Sequence, residues 1–472
     1  MTTTTTMTTT TRTTTTAKGV VKSSSATSRT LKFDDGSTQF RLRLIASILS
    51  SRPLLLRNIR SDDVDAPGLR EHEASFLRLI DRMTNGTKIE INATGTQLRF
   101  RPGVLLGGEI EHDCPAGGEE GVGGGGGGEG GGRGVGWYLE GIFPLAAFGK
   151  EPLRLTLRGI TDGTSDLDPS PDYLQASFVP LLMRLGVGND ADESPPPSLR
   201  VIRRGSTPLG GGVVHFHCPI VRELRPMELV TFGRVKRVRG TAISCRVPPS
   251  SAARVAHSAK GVMHRLLPDV WIHTDVNSNN NNNNKKRGRS GWEHGTTVVG
   301  AGGGCGPSPG LGVILTATTT EGVCLSAECS MDHIDRRHDG SIERRRMELP
   351  EELGRRAAVS LLGEIRAGGC VDTHCQSFAL LMMCLTPEDV SRLRLGPLSH
   401  YAVVSLRLYR YAFGVEFKLR VEEEGGHGRS DEDDDDDDDD YDNDGARKNP
   451  SEKTVVCSCL GMGYRNMARA ST

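Results

Sequence analysis

The chain has 472 residues, enough for two or three domains that each bury a core. Its hydrophobic fraction of 36% and aromatic fraction of 5% are thin, and no apolar run approaches the roughly 20 residues that span a bilayer. The net charge of −1 conceals a basic body: between Glu422 and Asp444 lie 15 acidic residues and one Arg, which leaves 44 acidic against 57 basic residues elsewhere.

Low-complexity stretches explain the thin average. The Thr/Ser-rich start from Met1 to Thr30, the Gly run over 117–136, Asn279–Asn284 and Asp433–Asp440 cannot bury apolar surface and are expected to be disordered. A basic body with one acidic loop fits either an anionic partner, RNA first among them, or a merely solvated surface. Eleven cysteines without C-x-x-C spacing give a zinc site little support, and their odd number favours a reducing compartment.

In chain order, Phe40, Leu44, Ile45, Ile48 and Leu49 have helical spacing, and Pro53–Ile59 reads as a strand. Leu69–Met83 is a second amphipathic helix, stopped at Asn85-Gly86 and followed by strands at Lys88–Asn92 and Gln97–Arg101. A helix at Tyr173–Leu185 precedes strands at Leu199–Arg203 and Val213–Cys218. Late in the chain a helix at Tyr401–Phe413 precedes strands at Val415–Val421 and Thr454–Leu460. A helix followed by two strands, three times over, predicts a repeated α/β (α+β) module with helices on one face of each sheet.

Between the second and third modules, Arg234–Arg246 reads as a strand, Ser251–Leu266 as a helix, and Val270–Thr274, Leu311–Thr318 and Val323–Glu328 as strands. This predicts a small inserted α/β domain. The domain boundaries are then a tail over 1–32, modules one and two over 33–225 with the Gly-rich loop 117–136, the insert over 226–335 with a disordered loop 276–309, and module three over 336–472 with an acidic loop 422–452. Long excursions of this kind cost little, because closure entropy grows with the logarithm of loop length.

Arg203-Arg-Gly-Ser-Thr-Pro-Leu-Gly-Gly-Gly212 combines glycines at a strand junction with two arginines. Such a segment either lets backbone approach a phosphate or forms a tight turn of positive φ. Without a following Lys-Ser/Thr it is not a nucleoside-triphosphate P-loop. Its wording resembles the Arg-Gly-x-x-Pro-x-Gly-Gly-Gly signature of the RNA 3′-terminal phosphate cyclase family, in particular its eukaryotic cyclase-like branch. The resemblance runs from about Phe33 to Asn466. It is carried also by Ile59-Arg-Ser61, Pro67-Gly-Leu-Arg70, Glu73-Ala-Ser-Phe76, Thr84-Asn-Gly-Thr87, Pro102–Gly108, Glu111-His-Asp-Cys114, Gly368–Asp372 and Leu395–Ser399.

The resemblance implies three repeats similar to the C-terminal domain of bacterial translation initiation factor 3, plus one inserted small α/β domain. True cyclases use a histidine beyond a Gly-Pro segment to attack ATP, since a neutral imidazole nitrogen is a competent nucleophile. Here, beyond Gly396-Pro397, Tyr401 falls at that position and His400 precedes it. Helical neighbours differ in direction by about 100°, so His400 is not expected to point where the nucleophile must. The family's acidic residue before a Gln appears as Cys375-Gln376, and its nucleotide loop survives only as Asp34-Asp-Gly-Ser-Thr38. Three departures around one pocket argue against ATP-dependent cyclisation, so no catalytic residue, metal or cofactor is expected.

The basic residues then gain weight as RNA- or partner-binding candidates: Arg60, Arg70, Arg203, Arg204, and Arg234, Lys236, Arg237 and Arg239 on a strand with charge on both faces. The alternative is solvated strand edges that discourage aggregation. Arg57 is a further candidate, and Lys285-Lys-Arg-Gly-Arg289 is either an import or RNA patch or neither. By resemblance, the cyclase-like branch acts in the nucleus and nucleolus, in early small-subunit ribosome biogenesis, with pre-rRNA and a nucleolar GTPase of the small-subunit processome as partners and no membrane. The competing readings are an endoribonuclease drawing on His112, Asp113 or Asp372, and a residual cyclase using His400.

Overall fold

A computed structural model describes residues 30–115, 132–163, 168–188, 195–277, 304–331, 335–336, 342–343, 349–423 and 453–466. The expectations for 1–29, the Asn and Asp runs, most of the Gly run and Lys285–Arg289 lie outside the described residues.

The first stretch runs β1 (Leu31–Phe33), α1 (Phe40–Ser50), β2 (Leu54–Leu56), α2 (Glu71–Met83), β3 (Thr84–Asn85), β4 (Lys88–Ile91), β5 (Leu98–Arg101) and β6 (Val104–Leu105). Its sheet has the order β1-β2-β5-β4, parallel between β1 and β2 and antiparallel thereafter. Phe76, Leu77, Ile80 and Met83 form the buried stripe of α2. Glu73 fixes where that helix begins, its Oε2 accepting the Arg70 N–H at 2.9 Å.

The second stretch runs β7 (Gly108–Asp113), α3 (Val135–Ala146), β8 (Leu153–Gly159), α4 (Pro171–Arg184), β9 (Ser198–Arg203) and β10 (Gly212–Cys218). Its sheet, β7-β8-β10-β9, repeats the sense of the first: one parallel pair, then two antiparallel pairs. Leu153, Leu155 and Leu157 alternate inward on β8. Ser170 caps α4 by accepting the Tyr173 N–H at 3.1 Å.

Then follow β11 (Glu228–Leu229), β12 (Val235–Cys245), α5 (Pro249–Met263), β13 (Val270–Asn277), β14 (Gly310–Thr319), β15 (Cys324–Ser330) and the short β16 (Asp335–Arg336) and β17 (Ile342–Glu343). The described chain ends with α6 (Pro350–Arg366), α7 (Gln376–Cys384), β18 (Val390–Leu395), α8 (His400–Phe413), β19 (Phe417–Glu423) and β20 (Lys453–Leu460). The sheet β11-β18-β20-β19 has the sense of the first two. In β13-β12-β14-β15 the parallel edge strand β13 follows its neighbour β12 in sequence, where in the other three sheets the edge strand comes first.

Aromatic rings tie the helices together: Phe178 of α4 stacks on Phe378 of α7 at 4.3 Å between centroids, and Phe143 of α3 lies 4.6 Å from Phe216 of β10. None of the eleven cysteines is joined in a disulfide; nine are buried, and Cys324 and Cys329 are partly exposed.

Several elements differ from expectation. α3 begins at Val135, inside the stretch read as a Gly-rich loop to 136. β13 runs on to Asn277 and β19 to Glu423, each into a stretch read as loop. The elements β7, α3, β8, α6, α7 and β18 carry no counterpart in the sequence reading. β12 is also a correction: it is neither shallow nor an edge, but lies between β13 and β14 with Val238, Gly240, Ala242 and Ser244 buried, and only its first residues are charged and exposed.

Candidate functional site

The start of α8 is built from α7. Gln376 donates from Nε2 to the Pro397 carbonyl at 2.9 Å and accepts the Ser399 N–H on Oε1 at 3.0 Å. Ser399 then caps the helix, its Oγ accepting the Ala402 N–H at 3.1 Å. His400, the first helical residue, is exposed. Tyr401 is 39% exposed, yet its hydroxyl is held up to about 12 by burial and by the charge of Glu140, which outweigh Arg41.

Those two neighbours come from other helices. Arg41 on α1 donates to Glu140 Oε2 on α3 at 2.7 Å and to the Trp137 carbonyl, and its guanidinium lies 4.5 Å over the Trp137 ring. Burial works against the Arg41 charge, but Glu140 more than offsets it and the guanidinium ends above its ordinary value. Arg133 pairs with Asp168 at 2.6 Å beside the same ring. Burial lifts the Asp168 carboxyl despite Arg133. These helices thus bring together two ion pairs that neutralise themselves and one phenol that keeps its proton at neutral pH.

The three segments singled out by the resemblance meet here. Gln39, just after Asp34–Thr38, donates to Ser405 Oγ of α8 at 3.0 Å, and Ser377, two residues after Cys375, donates to the same oxygen at 2.9 Å. Arg43 clamps Asp35 at 2.9 Å; burial opposes the charge, but the pair leaves the carboxyl below its ordinary value. Cys375 is buried, and its thiol is pushed up by burial and by Asp372.

The expected basic residues fall on three separate elements. Arg60 and Arg70 lie between β2 and α2: Arg60 grips buried Glu73 at 2.8 and 2.7 Å, and Arg70 pairs with Asp63 at 2.8 Å. Arg203 ends β9 and Arg204 follows it. Arg203 donates to the Cys305 carbonyl at 3.3 Å. Arg204 is 8% exposed, with Asp172 at 2.6 and 3.0 Å and Asp275 at 2.9 Å, so all three of its nitrogens are engaged. The structure therefore turns Arg204 inward, away from any phosphate. Arg234, Lys236 and Arg237 are exposed at the start of β12, and Arg239 beside them pairs with Asp269 at 2.8 Å.

The Gly-rich segment is a turn closed on its own chain. The N–H groups of Gly205, Leu209 and Gly210 donate to Thr161 Oγ1, Ser308 Oγ and the Ser206 carbonyl at 2.9, 3.1 and 2.9 Å. Gly210 and Gly211 adopt φ of 63° and 80°, which favours glycine. A Cβ on the facing Gly306 would lie 1.9 Å from the Gly210 carbonyl oxygen.

The acid–base candidates do not converge. His112 is buried with Nε2 2.8 Å from Ser75 Oγ, and burial with nearby Arg82 lowers it to about 4. Asp113 is exposed against Arg158 at 3.3 Å. Asp372 is buried and accepts from the Tyr173 hydroxyl, from Ser177 Oγ at 2.9 Å, and from the N–H groups of Cys375 and Ser326 at 3.0 and 3.2 Å. Among the described residues no three His, Cys, Asp or Glu side chains are placed to hold a metal ion. Sequence reasoning missed Arg41, Trp137, Glu140, Arg133 and Asp168; Trp137, a rare residue directly after a Gly run, was the available signal.

The family model described as RNA 3′-terminal phosphate cyclase matches residues 33–419. The chain is 38% identical to the probable RNA 3′-terminal phosphate cyclase-like protein of Dictyostelium discoideum, over 93% of this chain and all of that protein. It is 38% identical to the human RNA 3′-terminal phosphate cyclase-like protein, over 92% of this chain and 96% of that one. It is 35% identical to a Schizosaccharomyces pombe protein named rRNA processing protein rcl1, over 93% and 98%.

Proposed function

The chain belongs to the RNA 3′-terminal phosphate cyclase family, and from that premise we propose that it is a non-catalytic ribosome biogenesis factor of early small-subunit pre-rRNA processing. The observation that carries the non-catalytic part is Tyr401. At the position that a nucleophilic histidine takes in cyclases stands a phenol held up to about 12, protonated at neutral pH and a poor attacker of phosphorus. Supporting it, the neighbouring acid is replaced by the buried thiol of Cys375, and Asp35 of the former nucleotide loop is occupied by Arg43.

The biological part rests on the Schizosaccharomyces pombe relative, named for rRNA processing. On this reading the protein works in the nucleolus, with pre-rRNA and a nucleolar GTPase as partners and no cofactor. The three sheets of like order and sense are read as copies of one module similar to the C-terminal domain of translation initiation factor 3, and β12 to β15 with α5 as the insert. The boundaries expected from the sequence are 33–225, 226–335 and 336–472; of these, 226 puts β11 in the insert, although β11 pairs with β18 in the third sheet.

Incubation with labelled ATP is expected to leave no acid-labile adduct on the protein; an adduct lost in His400→Ala would overturn the non-catalytic reading. Pull-down from nuclear extract, with and without nuclease, is expected to recover small-subunit pre-rRNA and a GTPase. Recovery of neither would sink the assignment to ribosome assembly.

A further inference from the structure

The start of β12 and the edge strand β13 share a face that, among the described residues, is left open at that end, with Trp271 65% exposed. The register sets Arg239 beside Trp271 of β13 and Thr316 of β14, and Thr241 beside His273. Side chains of paired residues point to the same side of a sheet. Val238, the neighbour of Arg239, is buried on the side where α5 packs, with Val255 and Ala259. Arg237, Arg239, Thr241, Trp271 and His273 therefore stand on the opposite side. His273 Nε2 lies 3.1 Å from Thr241 Oγ1, which tethers that ring to the strand surface.

Trp271 is 65% exposed. An indole left in water forgoes the burial that makes aromatic side chains favourable in a fold. Here the ring stands next to Arg239 and one step along the strand from Arg237, and Arg239 pairs with Asp269. The Arg239–Asp269 pair is half in solvent, with side-chain exposures of 44% and 53%, so exchanging its partner costs little.

We propose that this face is a single-stranded RNA site, in which an unpaired base stacks on Trp271 and Arg237 and Arg239 hold the adjoining phosphates. The proposal rests on the pre-rRNA reading above and names where, and in what form, the RNA is held. Flat aromatic surface beside cations is the chemistry that single strands satisfy, since every base offers a π face and every linkage a negative charge. A duplex keeps its bases stacked internally and offers none to the ring. A second copy of the chain would set arginine against arginine.

The test is fluorescence anisotropy of the full chain with a labelled oligouridine and with an RNA duplex of equal length. The single strand is expected to bind more tightly. Trp271→Ala is expected to weaken it about 5- to 150-fold, and Trp271→Phe to restore most of the affinity. Arg237→Gln with Arg239→Gln is expected to lower the salt slope by about 1 to 2. In a Trp292→Phe background, which leaves Trp137 and Trp271 as the two indoles, tryptophan quenching by the oligonucleotide is expected to vanish on Trp271→Phe, since Trp137 is 6% exposed.

Wild-type affinity in a normally melting Trp271→Ala would overturn the proposal. So would a variant that keeps its RNA affinity but loses a protein partner in nuclease-treated extract. No binding of single strands, with pre-rRNA still recovered from nuclear extract, would remove this site and leave the processing role standing. Loss of RNA binding in Trp271→Ala, with rRNA processing normal in cells depleted of the protein, would keep the site and remove the role.

Discussion

Tyr173 donates its hydroxyl to Asp372 across 199 positions of sequence, joining α4 to the turn before α7. Ser177 and two backbone N–H groups converge on the same carboxylate. Burial pushes the Asp372 carboxyl up and these donors hold part of it back. An oxygen pair so fully engaged is a joint between elements, with no lone pair directed at solvent. Asp372→Ala leaves four donors facing a hole, and a destabilisation on the order of 4 kcal/mol is expected. Asp372→Asn keeps one acceptor and is expected to cost about half as much. Calorimetric melting temperatures decide; an unchanged value for the alanine variant would refute the joint.

Arg204 and Arg237 separate structure from recognition. Replacing Arg204 by Met leaves Asp172 and Asp275 facing each other, mostly buried, and is expected to cost about 3–5 kcal/mol. Arg237 is exposed, and Arg237→Met is expected to shift stability by about 0.5 kcal/mol or less. RNA affinity is expected to move in the opposite order. Thermal melts paired with anisotropy under native conditions test both halves.

His112 supplies a pH signature. Its folded value of about 4 lies below its ordinary 6.5, so between those values the unfolded chain binds more protons. The stability this neutral ring contributes is present above 6.5 and is lost as the pH falls toward 4. Urea unfolding of the wild type is therefore expected to lose stability over that window more steeply than His112→Gln. Parallel curves for the two proteins would show that the ring is not held neutral.

The acidic run offers a test of the basic body. Glu423 and Lys453 face each other in the register of β19 and β20, so residues 424–452 can be replaced by an Asn-Gly turn without moving either strand. RNA affinity at low salt is expected to rise about tenfold in that variant, through the field of the removed charges. The gain is expected to fade as salt screens them. Equal affinities at every ionic strength would show that the run does not oppose RNA.

Period and punctuation made much of this fold legible. The alternation of β10, β12 and β14 and the stripe of α2 are one-dimensional signals, and each element lies within a few residues of its expected place. α7 was invisible as a helix because Gln376–Cys384 is buried on every side, which erases the amphipathic period. α3 was hidden for the same reason and by the glycines before it. The position of Tyr401 could be read from the resemblance, but its surroundings could not. Arg41 and Glu140 are 99 residues apart, and only the packing of α1 on α3 sets them against one phenol. Arg204 shows the converse: composition made it a phosphate ligand, and the fold used its charge to close a gap between α4 and β13.

The nine buried thiols carry a practical consequence. Burial raises Cys245, Cys457 and Cys459 to about 12 and Cys370 to about 11, so these sulfurs stay protonated and shielded while the protein is folded. Each becomes reactive only when its own region opens. Pulsed alkylation followed by peptide mapping would therefore read local opening at sites in three of the four larger sheets, using reporters the chain already contains.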